Sequence, residues 1–370
     1  MTENIRIKSL DGVRGIAILL VLFYHTYLFS HIRSSHFADR VLTYLGKLSW
    51  SGVDLFFVLS GFLITRILLD SRDSPHYYKN FYIRRILRIF PLYYLYLILV
   101  FFVFSIFLLP VKLSFKDQAW YWFYLANYKC FFFRNNPVLL NHTWSLAIEE
   151  QFYLCWPIIV SLFVKNKLKR ILIGIFIFSF LVRLVLSMFG YEFWFIRYIF
   201  FAKIDLLSAG ALLAVLYRES KLNLKDRKTR INLVWILVSS LVLFALLKLL
   251  FHGGILLGSY LFTCVGILCS YFIILALHVS PGSFIGKILS SRLLTLFGKY
   301  SYSIYLFHLC IVLALCKFIL PKLQIFIYSS SLLWLTLFVL ESGITLFISW
   351  VTYTFYERYF LDFKDILASK

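Results

Sequence analysis

Negative charge is what this chain has least of. Only 17 of its 370 residues are Asp or Glu against 38 Lys and Arg, a formal net charge of +21, and charged residues of both signs together make up 15%. That is too little to clothe a soluble domain of this size. Cysteine patterning is missing too. Cys130, Cys155, Cys264, Cys269, Cys310 and Cys316 include no CxxC pair and fall mostly inside apolar runs, so neither a disulfide framework nor a metal site built on cysteine is expected. No internal repeat is visible, which weakens architectures assembled from inverted halves. The first apolar segment has no small-residue cleavage site and opens with Asp11 and Arg14. It therefore reads as a retained segment, not a signal peptide. No stretch is left over for a soluble domain, so residues 1–370 are expected to form a single membrane-embedded domain.

What fills the chain is apolar. Hydrophobic residues are 61% and aromatic ones 20%, the composition of an all-α polytopic membrane protein. Runs of spanning length recur at about residues 12–30, 50–69, 91–109, 145–164, 170–189, 198–217, 231–251, 255–278, 298–319 and 331–356, which predicts about ten transmembrane helices. Basic residues crowd alternate gaps: Arg66, Arg72, Lys79, Arg84, Arg85 and Arg88; then Lys165, Lys167, Lys169 and Arg170; then Arg218, Lys221, Lys225, Arg227, Lys228 and Arg230. The positive-inside rule makes these gaps cytoplasmic. Ten spans then bring both termini inside, in agreement with Arg6 and Lys8 at one end and Arg358, Lys364 and Lys370 at the other. Because the positive excess lies beside spans, orientation and anionic lipid headgroups account for it, and no nucleic-acid partner is expected.

Ionisable groups inside apolar runs are the candidates for function, since burying them in a bilayer is expensive. Arg14 and His25 stand 11 positions apart, on one helical face and about 16 Å from each other. The alternative is a snorkelling Arg14 and a His25 satisfied by a carbonyl. Ser74 to Tyr94 reads as an interfacial helix running into a span, with Arg84 or Arg85 and Arg88 on one face, where paired guanidinium forks suit phosphates or anchor the helix. Lys116 to Lys129, rich in Trp and Tyr, reads as an aromatic belt at the outer headgroups. Beyond it, Asn141 or Thr143 is placed to cap a helix that carries Glu149, Glu150 and Gln151 in an apolar run. Counting depth along each span puts His25 level with Glu149 and Glu150, and places Lys203, Asp205, His308 and Glu341 in the central half of the bilayer. Mutual neutralisation of Lys203 by Asp205, and of Glu341 by Arg183, is the plain alternative.

Five ordered segments carry a family resemblance: Leu10-Asp-Gly-Val-Arg-Gly-Ile-Ala17 through His25; Gly52-Val-Asp-Leu-Phe-Phe-Val-Leu-Ser-Gly-Phe-Leu-Ile64; Arg85-Ile-Leu-Arg88 with Ile89-Phe-Pro-Leu-Tyr93; Trp144-Ser-Leu-Ala-Ile-Glu-Glu-Gln-Phe-Tyr153; and Gly298-Lys-Tyr-Ser-Tyr-Ser-Ile-Tyr-Leu-Phe-His308. Together they resemble the integral-membrane acyltransferase family 3. The resemblance implies an enzyme of about ten helices in the bacterial inner membrane. Such an enzyme takes an acyl group, commonly acetyl, from cytoplasmic acyl-CoA (acetyl-CoA) and delivers it to a hydroxyl of an envelope carbohydrate such as O-antigen, capsule or exopolysaccharide, or to a lipid-linked glycan. It also marks Arg14, His25, Arg85 and Arg88 as functional. One departure is Tyr356-Glu-Arg-Tyr359, where many members carry Glu-Arg-Pro; catalysis is not expected to depend on it.

The chemistry of acyl transfer fits these residues. A thioester-to-alcohol transfer needs a base, oxyanion stabilisation and a dock for a phosphorylated carrier. His25 serves as the base, the imidazole being the side chain that titrates nearest neutrality. Arg14, Arg85 and Arg88 hold coenzyme A phosphates, and Glu149 or Glu150 orients His25 or binds acceptor hydroxyls. Ser60-Gly61 allows a close approach of a helix or a ligand. Asp11, Asp205 and His308 are secondary candidates. No metal is called for. Direct transfer is expected, with a covalent acyl-histidine relay as the rival mechanism. A proton-coupled transporter relaying protons through His25, Glu149, Asp205 and His308 is the rival function.

Overall fold

The computed structural model describes residues 7–30, 36–107, 113–133, 136–163, 165–251 and 255–368. Arg6 and Lys370, used above for orientation, lie outside the described residues, as do the side chains of Lys165 and Lys364. The described residues contain no strand. Counting helices of eight residues or more, the order is α1 (Lys8–Ser30), α2 (Phe37–Leu48), α3 (Ser51–Asp70), α4 (Tyr77–Leu99), α5 (Phe115–Trp122), α6 (Ala126–Phe133), α7 (Thr143–Leu162), α8 (Lys165–Met188), α9 (Phe200–Arg218), α10 (Arg227–Phe251), α11 (Ile255–His278), α12 (Arg292–Lys299), α13 (Ser301–Ala314), α14 (Ser330–Thr352) and α15 (Arg358–Ala368).

Nine of these helices, some with short continuations, are long and apolar enough to cross a membrane among the described residues. The expected tenth, α7, has 20 residues, about 30 Å and sufficient in length. Its apolar run is interrupted by Glu149, Glu150 and Gln151. The protein is a multi-pass helical membrane protein, with α1, α3, α7, α9 and α13 at its centre and α10 at its margin.

Side-chain pairs fix the directions of the helices. Asp54 meets Lys203 at 2.6 Å and Asp70 meets Arg218 at 3.3 Å, so α3 and α9 run in parallel. Lys169 at the start of α8 meets Glu219 just past α9, and Arg72 donates to the carbonyls of Ser161 and Phe163 at the end of α7. The basic loops therefore gather at one end of the bundle. Ser303 at the start of α13 bonds Glu357 after α14, so the start of α13 and the end of α14 face each other. Along α3 and α9 the backbones touch: a Cβ on Gly61 would stand 2.0 Å from the Leu207 carbonyl oxygen, and one on Gly210 1.8 Å from that of Val58. Helix α3 runs unbroken through Ser60-Gly61, and it is the helix α9 that Gly61 admits.

One local expectation holds and two change. Ser74 to Tyr94 runs straight into its span as one helix, α4, continuous from Tyr77, with Arg84 and Arg88 exposed and its first tyrosines docked on the end of α7. Tyr77 donates to the Pro157 carbonyl and Tyr82 to that of Leu154. The aromatic segment after α4 is only partly a belt: Phe115 and Phe123 are exposed, yet Tyr124, at φ +54°, stacks on Tyr93 at 4.2 Å, and Tyr93 donates to the Tyr121 carbonyl. The turn between α5 and α6 thus packs on the middle of α4. At the start of α7, neither Asn141 nor Thr143 caps the helix. His142 holds that position without a side-chain cap, and the Thr143 hydroxyl donates to Leu140 O.

Candidate active site

Two cavities lie in series along α1. The larger, about 200 Å³, occupies the half of the bundle nearer the basic loops. It collects Arg14 from α1, Ser60 from α3, Arg85 and Arg88 from α4, Glu149, Glu150 and Tyr153 from α7, and Tyr302 and Tyr305 from α13. The expected cationic and acidic residues are therefore brought together. Arg85 sits over the rings of Phe81 and Tyr153 at 5.8 and 5.9 Å, and its buried Nε has no hydrogen-bond partner among the described residues. Ser60 and Tyr153 share a short hydroxyl–hydroxyl bond. Arg14 reaches Asp11 at 3.4 Å, one turn earlier on the same helix. The mixture of three guanidinium groups, two carboxyl groups and apolar α3 side chains suits a ligand with an anionic head and a slender apolar arm.

The smaller cavity, about 30 Å³, is lined by His25, Tyr24, Asp54, Asn141, His142, Arg197 and Lys203, and it shares Val53 and Tyr305 with the larger one. His25 Nδ1 stands 2.8 Å from the Val21 carbonyl oxygen and 3.3 Å from His308 Nε2. His308 Nδ1 in turn stands 2.7 Å from the Tyr305 carbonyl oxygen. Carbonyls only accept, so each imidazole carries its proton on Nδ1. Val21 and His308 together fix this tautomer in His25 and leave its Nε2 lone pair available as a base. The satisfying carbonyl weighed for His25 thus exists, and it engages Nδ1 and not Nε2.

His25 and the two glutamates do not share a level. The His142 ring lies 5.2 Å from His308, so α7 begins at the depth of His25, inside the bundle. Glu149, seven residues further, is then about 10 Å nearer the basic loops. The depth count failed because it started α7 at the outer face. Glu149 and Glu150 accordingly do not orient His25; His308 and Val21 hold its ring.

The remaining candidates find structural partners. Asp205 pairs with Arg183 at 2.8 Å, not with Lys203, and Arg183 also donates to Ser259 O, Ala202 O, Ser179 and Thr263. Lys203 pairs with Asp54 at 2.6 Å under the ring of Phe262. Glu341 bonds Thr26. Helix neighbours are not readable from a sequence, and this is why neither expected pairing forms. His142, Arg197, Asp54 and Tyr305 line the cavities without having been singled out. A carboxylate within the apolar run of α3 was a usable signal for Asp54; Arg197 falls just outside a run and gave none.

Fold and site together define a helical membrane protein with a cationic cavity and an imidazole cavity in series. Residues 7–354 match the family described as the acyltransferase domain, and the chain belongs to that family. It is 31% identical over 399 residues to the peptidoglycan O-acetyltransferase OatA of Listeria monocytogenes, covering 97% of this chain and 58% of that protein. It is 30% identical over 332 residues to a Staphylococcus aureus (strain COL) protein provisionally named as an O-acetyltransferase, covering 83% of this chain and 50% of the relative. A Bacillus subtilis protein, YrhL, provisionally named as a peptidoglycan O-acetyltransferase, is 28% identical over 82% of this chain and 48% of its own length. The chain spans about half the length of the curated relatives it matches. No solved structure matches it.

Proposed function

We propose that the protein is a membrane O-acetyltransferase that takes an acyl group, acetyl, from acyl-CoA entering at the basic, cytoplasmic end and passes it to a hydroxyl of an envelope carbohydrate in the bacterial cytoplasmic membrane. The observation that carries this reading is the series arrangement: Arg14, Arg85 and Arg88 on one cavity, and His25, with Nε2 unprotonated, on the next. The residues fit the donor. Three guanidinium groups match its phosphates, and the rise from Arg14 to His25, about 16 Å, is of the order of its pantetheine arm.

His25 Nε2 takes the proton of the acceptor hydroxyl as that oxygen attacks the thioester carbonyl. The carbon–oxygen bond forms, the carbon–sulfur bond breaks, and the imidazolium returns the proton to the departing sulfur. His308 keeps the ring oriented throughout, in the way a third group orients a catalytic base. Envelope polysaccharides, lipid-linked glycans and peptidoglycan all present suitable hydroxyls. A proton relay for transport has less support, since Asp205 is engaged by Arg183 and Glu149 faces the other cavity.

The test is the O-acetyl content of envelope carbohydrate, read by NMR in cells with wild type, His25→Ala or no protein at matched membrane levels, together with acetyl-CoA binding by the purified protein. Acetyl signals with wild type alone, and binding that survives His25→Ala, are expected. Absence of acetyl-CoA binding by the wild type overturns the reading.

A further inference from the structure

The smaller cavity holds a concentration of polar atoms without partners. Among the described residues, buried side-chain atoms lacking a hydrogen bond include Asp54 Oδ2, both ring nitrogens of His142 and Nε of Arg197, and all three residues line this one cavity beside His25. Buried polar groups are ordinarily bonded, and a cluster that is not reads as a site awaiting polar atoms from a ligand.

The cations of this half of the bundle differ in one respect. Lys203 is neutralised by Asp54 and Arg183 by Asp205. Arg197 has no carboxylate within ion-pair distance among the described residues. It is held instead by three ring faces, those of Trp144, Trp194 and Tyr198, at 5.0, 5.5 and 5.1 Å from their centroids. Ring faces hold a guanidinium in place while leaving its positive charge unneutralised, and Nε of Arg197 has no partner among the described residues. An uncompensated cation in a membrane protein is costly and points to an anionic partner.

We propose that the smaller cavity is the polar end of the acceptor subsite and selects a sugar bearing an anionic group, a carboxylate or a phosphate ester: the charged substituent reaches Arg197 and the reacting hydroxyl reaches His25, while the sugar ring stays outside this space of about 30 Å³. This rests on the acyl-transfer reading. The arrangement divides recognition in two: Arg197 takes the charge, and His142, Asn141 and the free oxygen of Asp54 take hydroxyls.

Saturation-transfer NMR on the full chain in phosphatidylcholine nanodiscs tests this without turnover. Methyl β-D-glucuronide, glucose 6-phosphate and methyl β-D-glucoside serve as probes, with acetyl-CoA observed in parallel. The wild type is expected to bind at least one charged sugar about tenfold or more tightly than the neutral one, as loss of a charged hydrogen bond implies, and the preferred sugar separates carboxylate from phosphate. Arg197→Gln should abolish the preference and keep the acetyl-CoA signal, and Arg197→Lys should restore part of it. Equal binding of all three sugars by the wild type, binding of none, or a preference that survives Arg197→Gln overturns the proposal. A missing acetyl-CoA signal in the wild type, with the sugar preference intact, would instead sink the donor reading alone.

Discussion

Replacing Asp205 by Asn separates structure from chemistry at a residue that the sequence offers as a candidate. Both partners of the pair are fully buried, with Arg183 Nη1 2.8 Å from Asp205 Oδ2. Asn preserves the shape and one acceptor while deleting the charge, so the guanidinium is left without a counter-charge. Charges about 4 Å apart at an effective dielectric of 20 interact by roughly 4 kcal/mol, which falls within the 3–5 kcal/mol typical of breaking a buried pair. For 370 residues, about 2.1 cal/mol/K per residue gives an unfolding entropy near 0.8 kcal/mol/K, hence a fall in Tm of about 4–6 °C. The assay is thermal unfolding of detergent-solubilised protein by intrinsic fluorescence, with acetyl transfer measured well below Tm. The double variant Arg183→Met with Asp205→Leu should be less damaged than Asp205→Asn, because no unpaired charge remains. A Tm within 1 °C of wild type, together with lost acetyl transfer, would refute the structural assignment and return Asp205 to the chemistry.

Further outcomes follow from the geometry. His25→Ala should lower acetyl transfer by roughly 10²–10⁴-fold with little change in acetyl-CoA affinity, whereas His308→Ala, which leaves the Val21 carbonyl on His25, should cost less; equal losses in steady-state kinetics would contradict the orienting role of His308. Arg85→Lys and Arg88→Lys keep the charge but lose the fork, so each should weaken acetyl-CoA binding by about tenfold in calorimetry. Gly61→Ala forces α3 from α9 and should destabilise by about 1–3 kcal/mol, seen as a lower Tm; an unchanged Tm would show that the helices are not in close contact.

The spans and the basic end were legible because hydropathy and charge are local properties of the chain. The residues of the cationic cavity were legible for a different reason: spacing alone left Arg85 and Arg88 as an anchor or a phosphate grip, and the family resemblance singled them out together with Arg14. What was not legible depends on the third dimension. The start of α7 lies inside the bundle, and nothing in Asn141-His142-Thr143 states that depth. Lys203 and Asp205 lie two apart on α9 and so point to different neighbours, Asp54 on α3 and Arg183 on α8. Arg197 became a candidate only when the Trp144 ring of α7 closed over it beside those of its sequence neighbours Trp194 and Tyr198.

The partition formed by Val53 and Tyr305 between the two cavities has an electrical consequence. A continuous wet tunnel through the protein would let ions run down the membrane potential, worth about 2.3 kcal/mol per charge at 100 mV. The Tyr305 hydroxyl is pinned by Ser145 at 2.6 Å and by the His142 carbonyl at 3.1 Å, so the partition is braced on the inner end of α7. On the acyl-transfer reading proposed above, Val53 and Tyr305 are where the thioester carbonyl and the acceptor hydroxyl meet, so the substrates themselves fill the gap between the cavities instead of opening a path for ions.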